Sequence, residues 1–108
     1  MNKFSDILTR LPSVEKIAAL ELYEGTQTEP AAVIENKPGQ SGSVAVYYKM
    51  ALDFGGIGPS AAKQGLQLFS EHTVHALDNP GAHPNIDRLF RVVEDDTYYA
   101  VKVIYRRE

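Results

Sequence analysis

The apolar residues of this 108-residue chain change their spacing at Ser43, and this change constrains the fold more than any other feature. Before it, residues 18–24 (AALELYE) alternate, with Leu20 and Leu22 on one face, which is the period of a half-buried strand. After it, the apolar positions follow a helical period and mark one face: Val44, Tyr47, Tyr48, Ala51 and Phe54. The sequence therefore predicts a helical layer that lies over a sheet.

The N-terminal part of the chain predicts a short helix and a second strand. Apolar residues at i, i+3, i+4 and i+7 form one helical stripe that Pro12 ends: Phe4, Ile7, Leu8 and Leu11. Ser13 is expected to cap a further turn that runs through Ile17. Residues 31–36 (AAVIEN) are short and contain β-branched residues, so we expect them to pair with residues 18–24 as an antiparallel hairpin.

Three more elements are predicted after Gly55, which stands where a glycine ends a helix. Pro59 opens a helix that runs to about Leu77, with a core stripe formed by Ala62, Leu66, Phe69, Thr73, Ala76 and Leu77. Another helix begins at residue 84 or 85. Residues 97–105 (TYYAVKVIY) alternate strongly, and because both faces hold bulky groups we expect this strand to lie centrally or to cover something on each side.

Together these elements predict a single α+β domain over residues 1–108, in the order α-β-β-α-α-α-β. The sheet has three strands and is expected to be antiparallel, with helices packed on it, because a lone hairpin is marginal in water. A composition of 44% hydrophobic and 23% charged residues is typical of one folded domain. Either Ser41 or Ser43 is expected to cap the middle helix.

Composition excludes several functional classes. The chain has no cysteine, which removes disulfides, thiolate metal sites and cysteine nucleophiles. A net charge of −3 argues against nucleic-acid binding, which draws much of its affinity from Lys and Arg. Since no segment has the apolar run of a signal peptide or a membrane span, we expect a cytoplasmic bacterial protein that does not bind a membrane.

The segment KPGQSGS (37–43) is the first candidate site, because a glycine-rich loop before a helix can bind an anion with its backbone N–H groups. The candidate ligand-binding residues are Lys37, Gly39, Ser41, Gly42 and Ser43. Neither nucleotide-binding glycine motif is present. A purely structural loop with a serine cap is the favoured alternative.

The segment EHTVHALDNPGAHPNIDR (71–88) is the second candidate site, for a metal ion. His72 and His75 lie three residues apart, so a helix would hold them on neighbouring turns, and His83 could fold back from the following loop. Glu71 and Asp78 could add oxygen ligands. The spacing is not that of H-E-x-x-H. We therefore favour a structural role for these histidines, at the end of one helix and the start of the next, and predict no cofactor.

Three strings resemble a small uncharacterised bacterial family classed as a domain of unknown function. They are IENKPGQSGSVAVY (34–47), DFGGI (53–57) and EHTVHALDNPGAHPNIDRL (71–89). The resemblance implies a bacterial cytosolic domain and no particular activity. It favours ENKPG and NPG..HPNIDRL as the segments in which a family function would reside.

Two functional hypotheses follow. The first is a non-enzymatic binding or regulatory domain that uses the surface formed by residues 37–43 and 79–88, with an unknown protein or a small anionic ligand as its partner. A homodimer is possible, since Tyr98, Ala100 and Ile104 could form an apolar outer face or could lie beneath a helix. The second is a metal protein or enzyme that uses Glu71 and the three histidines, although no catalytic residue can be named and catalysis is the less favoured alternative.

Overall fold

The computed structural model describes residues 3–107. It contains five helices and three strands, which confirms the predicted α+β class. In chain order these are α1 (Phe4–Leu8), β1 (Ile17–Glu24), β2 (Ala32–Glu35), α2 (Ser41–Phe54), α3 (Pro59–Leu68), α4 (Glu71–Asp78), α5 (Pro84–Asp95) and β3 (Tyr99–Tyr105). The order differs from the prediction by one helix, because the predicted helix 59–77 is divided into α3 and α4.

The three strands form an antiparallel sheet in the order β2-β1-β3. Leu20 and Leu22 of β1 are fully buried, as their alternation predicts. The predicted turn after Ser13 is present, because Ile17 donates its N–H to the Val14 carbonyl at 2.9 Å and the Ser13 hydroxyl accepts the N–H of Glu15 at 3.3 Å. Ile17, which ends the turn, is also the first residue of β1 and pairs with Tyr105. Its side chain is only 2% exposed and belongs to the core.

β1, and not β3, is the central strand, so the first of the two alternatives predicted for β3, a central position, is wrong. β3 pairs with β1 on one side, and only its first residue, Tyr99, makes a bridge on the other side, to Ile57. Ala100 and Lys102 are exposed, so this face of β3 does not lie beneath a helix. The bulky residues on both faces of β3 therefore did not indicate its position, because β3 lies at the edge of the sheet.

α2 packs between the sheet and α3 and supplies much of the core, including fully buried Val44, Tyr47 and Met50. It ends as predicted, because Gly55 has a φ of 78°, a left-handed conformation that glycine adopts without strain. Its start differs from the prediction. The residue that precedes the helix is Gln40, with no side-chain cap, and Ser41 is already helical and donates its hydroxyl to the Lys37 carbonyl.

The helix predicted over residues 59–77 is interrupted at Ser70, whose φ of 53° cannot continue an α-helix. The chain turns here, and the Thr73 hydroxyl donates to the carbonyl of Leu66, one of the acceptors left free at the end of α3. The turn changes which side of α4 faces the core. Ala76 is buried as predicted, whereas Leu77 is 63% exposed and was wrongly assigned to the core stripe.

α5 begins at Pro84, as predicted, and places Ile86, Leu89 and Val92 in the core. It packs mainly on α3, which in turn packs on α2, the helix that contacts the sheet. Within residues 3–107 no helix combines the length and the apolar character that crossing a membrane requires.

Candidate functional site

A groove of about 600 Å³ lies where the starts of α2 and α5 meet. We call it the junction groove. Residues 39–43 form one wall and residues 82–86 with Arg88 form the other, while Phe4, Leu8, Phe69 and His72 are among the residues between them. Two segments about 40 residues apart, each a separate candidate in the sequence, therefore line one site.

The structure does not bring every candidate residue to the groove. Gly39, Ser41, Gly42 and Ser43 line it, but Lys37 does not, and its ammonium group lies 3.6 Å from the Glu35 carboxylate. His72 and His83 line the groove, whereas His75 lies behind His83.

Gly42 explains why the glycine loop can approach α1. A Cβ atom at this position would lie 2.9 Å from the Phe4 ring, so a larger residue would displace α1 from its place beside α2. Of the first residues of α2, Ser41 donates its N–H to the Lys37 carbonyl, but the N–H groups of Gly42 and Ser43 have no acceptor among the described residues. They are the free donors that a helix start leaves available for a ligand.

Arg88 is the principal polar side chain of the groove and was not predicted from the sequence. Its Nη1 donates to the Tyr47 hydroxyl at 3.0 Å and to the Asn85 side-chain oxygen at 2.9 Å. The guanidinium carbon also lies 5.7 Å from the centre of the Tyr47 ring. These contacts fix a half-buried arginine whose charge no carboxylate balances among residues 3–107.

Tyr47 is fully buried, and its hydroxyl holds both Asn85 and Arg88 in place. Its hydroxyl donates to the Asn85 carbonyl at 2.5 Å and accepts from Arg88, so both functions of the hydroxyl are used. Burial raises the pKa of Tyr47 to about 12, against a smaller opposing effect of Arg88. The phenol therefore stays protonated at neutral pH and holds α5 to α2.

The three histidines lie close together. His75 Nδ1 and His83 Nε2 are 2.8 Å apart, and the His72 and His83 ring centres are 5.9 Å apart. Glu71 does not join them, because its carboxylate accepts the Phe4 N–H at 2.7 Å, and this hydrogen bond lowers the pKa of Glu71. Within the part of the chain that the structure describes, no group of three His, Asp or Glu side chains is placed to hold a metal ion.

The groove has an unusual charge for an acidic protein. The net charge of the chain is −3, yet the described lining residues include Arg88 and no Asp or Glu. Two acids are adjacent in sequence to lining residues, and neither lines the groove. Asp87 accepts the N–H of Gly81 at 3.0 Å, and Glu71 accepts the N–H of Phe4 at 2.7 Å. A lining with free donors and no carboxylate suits a negatively charged ligand.

Sequence reasoning missed Arg88, Asn85 and Tyr47 as site residues, although it singled out the segment around the first two. The signal that was available is the spacing of Asn85 and Arg88, which places them on one face of a helix. The contribution of Tyr47 had no local signal, because its partners are distant in the sequence. Asn85 lies 38 positions after Tyr47, and Arg88 lies 41 positions after it.

Comparison with known proteins identifies one family. A family profile described as "Uncharacterized protein conserved in bacteria (DUF2322)" matches residues 4–103. No curated protein and no solved structure matched the chain. The matched range contains all the residues of the junction groove.

Proposed function

Since the chain belongs to this bacterial family, DUF2322, whose description names no activity, we propose from the groove itself that the domain is a non-enzymatic binding module for a small anionic ligand. The ligand would lie in the junction groove between the starts of α2 and α5. Binding there would join two segments that are distant in the chain, which gives the ligand a means of stabilising their contact.

One observation supports this proposal above the others. Arg88 is held in place by Tyr47 and Asn85, lines a groove without carboxylates, and has no acidic partner among the described residues. The hydrogen-bond partners of Arg88 are neutral groups, and a ligand would supply a negative charge for its guanidinium. The free N–H groups of Gly42 and Ser43 lie in the opposite wall.

An NMR titration with acetate and with inorganic phosphate at constant ionic strength tests the proposal. We expect the amide signals of Gly42, Ser43 and Asn85 to shift in a saturable manner, and the shifts to disappear in Arg88→Gln. Arg91→Gln is the matched control, since Arg91 is exposed, lies one turn further along α5 and does not line the groove. Shifts that are absent, or equal in wild type and Arg88→Gln, would refute the proposal.

A second candidate function is metal binding by the pair His75 and His83, and the 2.8 Å separation of His75 Nδ1 and His83 Nε2 favours it. Zn–N bonds of about 2.0–2.1 Å would place two tetrahedral ligands about 3.3 Å apart, so the two rings would have to separate and turn toward a shared ion. Metal analysis of untagged protein, with melting temperatures in Zn²⁺ and in EDTA, tests this. Stoichiometric zinc that is lost in His75→Ala supports the site, and no zinc with no shift removes it.

The proposed compartment is the bacterial cytoplasm, where a small anionic metabolite would be available to the groove. Cell fractionation with an antibody against the native protein tests this. A signal confined to the membrane or periplasmic fraction would contradict it.

A further inference from the structure

We infer that the ligand of the junction groove is a monocarboxylate attached to an apolar chain or ring. This inference rests on the binding function proposed above and specifies its ligand class. It follows from the hydrogen bonds that Arg88 still has available, from the charge of the lining and from the apolar surface beside Arg88.

The available hydrogen bonds of Arg88 match a carboxylate. Both N–H groups of Nη1 are used, one by the Tyr47 hydroxyl and one by Asn85 Oδ1. Nε and Nη2 have no partner among the described residues, and together they form one edge of the guanidinium with two parallel N–H donors. A carboxylate accepts two such hydrogen bonds in one plane.

The charge of the lining matches a single negative charge. Arg88 is the one described lining residue with a permanent positive charge, and no lysine lines the groove. A carboxylate brings a charge of −1, whereas a phosphate monoester brings about −1.5 to −2 at pH 7. One arginine therefore neutralises a carboxylate and leaves part of the charge of a phosphate monoester unbalanced.

The size and composition of the groove call for more than the carboxylate. Phe4 and Phe69 stack with their ring centres 5.7 Å apart, and both line the groove together with Leu8 and Ile86. A volume of about 600 Å³ lies within the roughly 300–1,000 Å³ of sites that bind small organic molecules. An apolar body attached to the carboxylate would cover these side chains and exclude water from the Arg88 pair.

Calorimetric titration of the wild-type chain with acetate, butanoate and hexanoate tests the apolar part. Each methylene that becomes buried is expected to raise affinity by up to about fourfold. We expect hexanoate to bind at least about tenfold more tightly than acetate. Equal affinities for acetate and hexanoate would overturn the inference.

Two further ligands test the charged group in the same wild-type protein. Hexanamide has the shape of hexanoate without the charge, and we expect it to bind at least about tenfold more weakly, because hydrogen bonds to charged groups are the stronger ones. Hexyl phosphate should also bind more weakly than hexanoate. Equal binding of hexanamide, or tighter binding of hexyl phosphate, would overturn the assignment of a monocarboxylate.

Arg88→Lys tests the paired N–H donors, since it keeps the positive charge and removes the two parallel N–H groups of Nε and Nη2. We expect hexanoate affinity to fall about tenfold, close to the loss in Arg88→Gln, while Arg91→Gln binds as wild type does. If Arg88→Lys binds hexanoate with full affinity, the two parallel N–H donors are not required and this part of the inference is overturned. If either variant at residue 88 fails to fold, the comparison of hexanoate with hexanamide in wild type decides the matter alone.

The outcomes also separate this inference from the proposed function. If acetate and phosphate shift the groove amides in wild type but chain length adds no affinity, the monocarboxylate assignment fails and anion binding stands. If no anion affects the groove amides, both fail together.

Discussion

Removal of one oxygen atom from the core should destabilise the domain measurably. In Tyr47→Phe the ring remains, but the Asn85 carbonyl loses its hydrogen bond and Arg88 Nη1 loses one acceptor. A neutral hydrogen bond contributes about 0.5–1.5 kcal/mol and one to a charged group about 1.5–3 kcal/mol. We take the lower part of the summed range, about 2 kcal/mol, because Arg88 is only half-buried and regains water.

The predicted change in melting temperature follows from the length of the chain. The unfolding entropy is about 2.1 cal/mol/K per residue near 60 °C, which gives about 0.23 kcal/mol/K for 108 residues. A loss of about 2 kcal/mol therefore lowers the melting temperature by about 9 °C. Urea unfolding monitored by circular dichroism measures the same change as a shift in midpoint without a change in slope.

Tyr48→Phe is the matched control for this experiment. Tyr48 follows Tyr47 in the same helix and is half-buried, but its hydroxyl has no partner among the described residues. We expect the control to change the free energy of unfolding by less than about 0.5 kcal/mol. The reasoning would be refuted if Tyr47→Phe were as stable as wild type, or if both variants lost the same stability.

Four further predictions follow from the structure, and two of them concern the dependence of stability on pH. The hydrogen bond from the Phe4 N–H holds the pKa of Glu71 below its ordinary 4.5, so its contribution to stability is present above pH 4.5 and is lost as the pH falls through the lowered value. Melting temperatures of wild type and Glu71→Gln should therefore differ at pH 7 and converge in acid, and a constant difference would argue against this. Because burial raises the pKa of Tyr47 from 10.0 to about 12, stability should decline as the pH rises through that interval, and less steeply in Tyr47→Phe. Asp96 has a φ of 55° at the end of α5, so Asp96→Gly should raise stability by about 0.5–1 kcal/mol in urea unfolding, and a loss would contradict the backbone-strain argument. Leu77 is 63% exposed, and Leu77→Ser should leave the urea midpoint within about 0.5 kcal/mol of wild type, whereas a core residue would cost several times more.

The elements that could be predicted are those whose burial or backbone conformation is reflected in the residue types of the same segment. Leu20 and Leu22 alternate with polar residues because the sheet has one covered face, and Gly55 follows a helix because the chain needs a left-handed residue there. Such signals are local, so the strands, α2 and the start of α5 were predicted with small errors at their ends.

The errors lie where a residue is held by distant partners. Ser70 has a positive φ without being glycine, so the break between α3 and α4 has no signal in the composition of that segment. β3 has bulky residues on both faces, which suggested a covered strand, but its outer face is open to solvent. In both cases tertiary packing overrode the local pattern.

The candidate site was half predictable for the same reason. The glycine loop (37–43) and the proline-containing junction (79–88) can be recognised in the sequence, because each contains residues typical of a helix start. Their contact is not visible, because it depends on Phe4 fitting against Gly42 and on Tyr47 reaching Asn85. Arg88 acquires its importance only through that contact.

The pairing of β1 with both β2 and β3 has a consequence for how the chain reaches its native state. β2 follows β1 after a few residues, but β3 is synthesised only after four intervening helices. The hairpin must therefore wait for Tyr99–Tyr105 before its second edge is matched, and large sequence separations of this kind slow folding. On the ribosome, a nascent chain that stops after α5 would expose one side of β1, where a chaperone could bind until the last strand emerges.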